Sequence, residues 1–153
     1  MDKRTEFNNA LKEALKSKDT VAIGTIRLMI AALKDRDIEA RGKGNADGIT
    51  DSEILSMLQS MIKQRQESQK TYEDAGRPEL AEREAVEIEV IKRFLPQQLG
   101  EDEVRSKVDE LIIELNVTDI KEMGKVMAEL KSRYAGQMDM GRASGLVKER
   151  LAS

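Results

Sequence analysis

The chain has 153 residues, enough for one domain with a real core or for two small ones, and it contains neither cysteine nor histidine. That excludes a disulfide framework, zinc hydrolysis and every Ser-His or Cys-His nucleophile system, because the thiolate and the imidazole are both missing. Charged residues make up 36% and aromatic residues 3%, a mixture suited to amphipathic helices rather than sheets, and the net charge of −3 speaks against nucleic-acid binding over the whole surface.

A first helix is predicted from about Lys3 to Ser17, where Phe7, Ala10, Leu11, Ala14 and Leu15 recur at spacings of three and four. Asp19 then caps a second helix, about Thr20 to Arg41. Its Val21, Ile23, Ile26, Leu28, Met29, Ile30 and Leu33 spread around most of the circumference, so it is expected to be packed on more than one side. Gly42 to Gly48 is a loop. Its GKG has neither a preceding strand nor the full spacing of a phosphate-binding loop.

Thr50 and Glu53 read as a capping box that opens a third helix running to about Asp74, with Ile54, Leu55, Leu58, Met61 and Ile62 as its core face. Its later half turns polar, and Gly76 ends it. Pro78 starts a fourth helix reaching Leu95, with Leu80, Ala81, Ala85, Ile88, Ile91 and Leu95 inward. The acidic outside of that helix, Glu79, Glu82, Glu84, Glu87 and Glu89, reads as a solvated face rather than a metal or acid–base site.

Pro96 stops the helical pattern and marks the domain boundary. Residues 1–96 are expected to form a helical N-terminal domain of about four helices and residues 97–153 a small three-helix domain, so the fold class is all-α. The last three helices are read at about Asp102 to Leu115, Ile120 to Tyr134 and Asp139 to Leu151.

The stretch from Lys121 to Arg150 concentrates positive charge, with seven basic residues against four acidic ones, and is punctuated by Gly124, Gly136, Gly141 and Gly145. A helix that lacks side chains lets a partner reach its main chain, and nearby Lys and Arg attract a polyanion. The bland reading is a solvated helical face with flexible corners.

Several runs together resemble the YqeY family, which shares a domain with the tail of the B subunit of glutamine-dependent aminoacyl-tRNA amidotransferases. They are Arg77, Leu80, Glu84, Glu87 and Ile88; Phe94 through Leu99 (FLPQQL); Met123 through Met127 (MGKVM); Gly136; Asp139 through Gly141; and Val147-Lys148. The resemblance covers nearly the whole chain, including Ile26-Arg27-Leu28. It implies an all-helical protein whose smaller C-terminal domain engages tRNA without holding an active site.

Carried over by position, the nucleic-acid-binding residues would be Lys121, Gly124, Lys125, Lys131, Arg133, Gly136, Gly141, Arg142, Gly145 and Lys148. The chain departs from the family pattern at Gln137-Met138, where many relatives are expected to carry a basic residue.

Relatives are often labelled carbon-nitrogen ligases with glutamine as amido-N-donor, but no nucleophile or phosphate site for that chemistry is visible here. Ser106, Ser132 and Ser144 all fall in helical contexts without a partner base. No catalytic residue, metal or cofactor is expected. The functional expectation is a non-catalytic protein that binds tRNA or associates with a tRNA-dependent amidation assembly; the alternative is a protein-interaction module with no nucleic-acid role, using its acidic helical surfaces or the Phe94 to Leu99 junction. No apolar run approaches the roughly 18 residues that would cross a bilayer, and MDKRTEFNN has no hydrophobic region behind its charges. A cytoplasmic protein with no membrane partner is therefore expected.

Overall fold

The structure, a computed structural model, describes residues 2–152. It is all-helical, with no strand among the described residues, and divides into two compact units between Leu95 and Pro96.

The first unit holds α1 (Lys3–Ser17), α2 (Thr20–Gly42), α3 (Asp51–Asp74) and α4 (Pro78–Lys92). Short polar side chains set the starts. The Asp2 carboxylate accepts from the Thr5 N–H, that of Asp19 accepts from the Ala22 N–H, and Thr50 and Glu53 form the reciprocal capping box. The turn between α1 and α2 is so tight that Lys18 adopts a left-handed conformation at φ 57°.

α1 pairs with α2, α3 pairs with α4, and α2 also packs on α4. Their inward faces enclose Phe7, Met29, Ile54, Met57, Leu58 and Ile91, all fully buried. Full burial of a side chain of this size contributes about 1.5–3 kcal/mol. Phe94 follows α4 and meets the edge of Phe7 with ring centroids 5.2 Å apart, while Lys3 Nζ donates to the Phe94 carbonyl at 2.8 Å. The Phe94 end of the junction is therefore core rather than an exposed docking segment.

The loop after α2 is held by one buried carboxylate. Asp37 accepts from Arg4 Nη2 at 2.6 Å, from Arg4 Nε at 3.2 Å and from the Ile49 N–H at 2.9 Å, and Arg4 Nη2 also donates to the Ile49 carbonyl. Gly48 passes beside it at φ +80°, where a Cβ would lie 2.3 Å from Asp37 Oδ1. Only glycine fits that approach.

α2 differs from the sequence expectation. One arc is buried, through Ala22, Ile26, Met29 and Leu33, but the other arc is open to solvent. Val21, Leu28 and Ile38 are 41%, 50% and 57% exposed.

The second unit holds α5 (Glu101–Glu114), α6 (Met123–Arg133) and α7 (Met140–Ala152), each in contact with the other two. Its core is Val104, Val108, Leu111, Val126, Leu130, Leu146 and Val147. The helix read as starting at Ile120 begins instead with a 3-10 turn, Ile120–Glu122, because the Asp119 side chain accepts from the Lys121 N–H.

Pro96 through Gly100 has no regular secondary structure and is fixed to the turn between α6 and α7. The Leu99 N–H donates to the Gln137 carbonyl at 2.8 Å, and Gln98 Nε2 donates to the carbonyls of Gly136 and Pro96.

Candidate nucleic-acid interface

The ten residues singled out from the sequence fall on α6, α7 and the two turns that precede them. Gly136 sits in the turn at φ +76°, is buried, and has its carbonyl engaged by Gln98. It closes a fold contact and offers no bare backbone. Met138, at the position where relatives were expected to be basic, is 2% exposed and belongs to the core, so a cation there would have to be buried.

The remaining glycines are open. Gly124 and Gly145 lie on exposed helix surface, and no heavy atom stands within 4 Å of the place a Cβ would occupy. Gly141 is exposed too; its N–H donates to Asp139 Oδ1 at 2.9 Å, which starts α7. At positions 141, 145 and 148 the spacing of four and three places Gly141, Gly145 and Lys148 on one outward stripe of α7.

The cations divide into two groups. Arg133 makes a two-pronged pair with Glu114 of α5, at 2.8 and 2.9 Å, and a third contact with Glu129 at 2.9 Å. Hydrogen bonding from Arg133 lowers the Glu114 pKa, and the same bonds raise that of Arg133. Arg142 is joined to Glu101, whose pKa is lowered by that hydrogen bond; Arg105 links Glu101 to Glu149, and Arg150 pairs with Asp109 at 3.2 Å. Lys125 pairs with Glu122 at 3.3 Å. Lys121, Lys131 and Lys148 are exposed and have no acidic partner among the described residues.

The local excess of positive charge along the sequence is thus largely spent inside the unit. From Pro96 to Ser153 there are nine basic and eleven acidic residues, a net of −2, because α5 supplies carboxylates that the stretch from Lys121 to Arg150 does not contain. Sequence reasoning counted charge along one segment and missed its neighbour across the bundle. The acidic spacing of α5 at Glu101, Asp109 and Glu114 was the available signal.

Among the described residues no cluster of three or more carboxylates is placed to hold a metal ion, and no helix is long and apolar enough to cross a membrane.

Residues 4–151 match the family described as Yqey-like protein. Similar sequences are found among proteins named "Altered inheritance of mitochondria protein 41, mitochondrial". That of Lachancea thermotolerans is 32% identical over 75% of this chain and 60% of its own length. That of Clavispora lusitaniae is 26% identical over 94% and 81%, and that of Candida glabrata 30% identical over 71% and 59%. The match therefore spans about three fifths of the first and third of these relatives. Their names are mitochondrial, which overturns the expectation of a cytoplasmic protein. That expectation leaned on hydropathy, and the lack of an apolar span does not distinguish the two compartments. With a family match that runs through all seven helices and includes the locked segment from Pro96 to Gly100, this chain belongs to the YqeY family.

Proposed function

We propose that this YqeY-family chain is a non-catalytic protein that docks on structured RNA through the outer surfaces of α6 and α7, tRNA being the ligand its resemblance to the amidotransferase tail domain suggests. One observation carries the reading: Gly124 and Gly145 stand on open helix surface where nothing inside the chain requires a missing side chain. In a helix interior, as at Gly145, glycine costs about 1 kcal/mol relative to alanine. No internal packing offsets that cost, and an approaching ribose-phosphate backbone would.

The three lysines without an acidic partner among the described residues support the reading as the phosphate contacts, whereas Arg133 and Arg142 would have to leave their carboxylates first. The C-terminal unit holds one half-buried aromatic residue, Tyr134, so stacking on unpaired bases contributes little.

The test is a titration of tRNA at 50 mM salt. Lys121→Ala, Lys131→Ala and Lys148→Ala together should abolish binding, and Arg133→Ala or Arg142→Ala should weaken it less. Three phosphate contacts imply a slope of log K against log salt of about −2 to −3. No binding at low salt, or binding that ignores both salt and the lysines, refutes the proposal. The rival reading, a protein-interaction module without nucleic acid, draws on the net −2 of the C-terminal unit, and that negative result would select it.

A further inference from the structure

A helix that is apolar around most of its circumference is normally covered on all sides. α2 is such a helix, yet its outer arc is open. Val21, Gly24, Leu28, Ala31, Asp35 and Ile38 follow one another at spacings of three, four, three, four and three, forming a stripe about 25 Å long that is apolar except at the exposed Asp35. The stripe has relief. Leu28 and Ile38 project from it, while Gly24, with nothing within 4 Å of a would-be Cβ, and Ala31 leave hollows on either side of Leu28.

The two edges of this stripe differ in charge. Arg27 and Lys34 lie along one edge, both exposed and without an acidic partner among the described residues. Glu39 lies along the other and is paired with Lys43 at 3.2 Å, while Asp35 stands within the stripe itself. We infer that the outer face of α2 is a docking groove for an amphipathic helix of another protein. That helix would carry aliphatic side chains against Val21, Leu28 and Ile38, a cation opposite Asp35, and carboxylates along the edge that meets Arg27 and Lys34.

A second copy of the chain is a poor occupant. An antiparallel two-fold pairing of α2 with itself sets the basic edge against the basic edge and the acidic against the acidic. A parallel pairing relieves that conflict but puts Asp35 against Asp35 in the seam. Like charges so placed oppose association. A bilayer is no better, since Asp35 interrupts the apolar stripe and would be pressed into lipid with Glu39 beside it. The residues involved belong to the first unit, so the inference stands apart from the RNA reading.

Two fluorescent peptides test it on the full chain. They share leucines at helical a and d positions, with a lysine at the one position that meets Asp35, and differ only in a glutamate or a lysine edge; binding is read by anisotropy. The glutamate-edged peptide should bind saturably. Leu28→Glu should weaken it at least tenfold, and Arg27→Glu with Lys34→Glu should transfer preference to the lysine-edged peptide. Circular dichroism verifies that these surface variants keep their helices.

Absence of saturable binding, or equal affinity for the two peptides, overturns the inference. So does self-association by sedimentation, or uptake on phosphatidylglycerol vesicles, if Leu28→Glu abolishes it; either result would name the other occupant.

Discussion

Gly145 lies in the interior of α7 on exposed surface, and a methyl added there meets no atom within 4 Å. Gly145→Ala should therefore stabilise the C-terminal unit through helix propensity alone, by about 0.5–1 kcal/mol. For a domain of this size each kcal/mol moves the melting temperature by roughly 4–8 °C, so a rise of about 2–8 °C is expected in the transition of that unit. Thermal circular dichroism reads it, and Gly24→Ala, equally unobstructed within α2, serves as the counterpart in the first unit. The same methyl would stand between α7 and an approaching phosphate backbone. Losing about 1–2 kcal/mol there corresponds to a 5- to 30-fold weaker tRNA complex. A variant that melts lower would show that the glycine serves internal packing, and one that melts higher while binding tRNA as tightly as its parent would remove RNA from α7.

Asp37→Ala strands the buried Ile49 N–H and leaves Arg4 without its carboxylate. With Arg4 partly exposed, a loss of about 3 kcal/mol in urea unfolding is expected, and a change below 1 kcal/mol would contradict the role given to this pair. Hydrogen bonding from Arg4 holds the Asp37 pKa below its ordinary 3.8. Its contribution is thus complete above the unfolded value and is lost as pH falls through the folded one, so parent and Asp37→Asn should differ at pH 6 and draw together as the pH falls below 3.8. Gly48→Ala, forced to keep φ +80° against Asp37, should cost about 2 kcal/mol or more by the same unfolding assay. Within the LPQQL segment, Gln98→Ala should lower the stability of the C-terminal unit by about 1 kcal/mol, whereas Gln97→Ala, exposed and without a hydrogen bond among the described residues, should leave its melting curve in place.

Local rules fixed most of the helices. The caps at Asp19 and Thr50, the proline at position 78 and the break at Pro96 each act within a few residues, and such effects are visible along a chain. What escaped notice involves partners far apart in sequence. Arg133 and Glu114 are 19 residues apart, and Arg142 and Glu101 are 41 apart, so a running count of charge showed a basic segment where the folded unit is slightly acidic. Gly136 looked like exposed backbone because its carbonyl partner, Gln98, lies 38 residues earlier. For α2 the residues were read as apolar around most of the circumference, but the other three helices of its unit cover one arc only.

The contact between Phe7 and Phe94 has a consequence for the order in which the protein is made. During synthesis from the N-terminus, the first helix emerges long before the aromatic ring that seals it, with 86 residues still to be added after Phe7 before Phe94 appears. Until then one side of α1 has no lid. The helix made first is the last to be completed, and a nascent chain halted before residue 94 should leave α1 open to proteases while the hairpin of α3 with the emerged part of α4 is already protected.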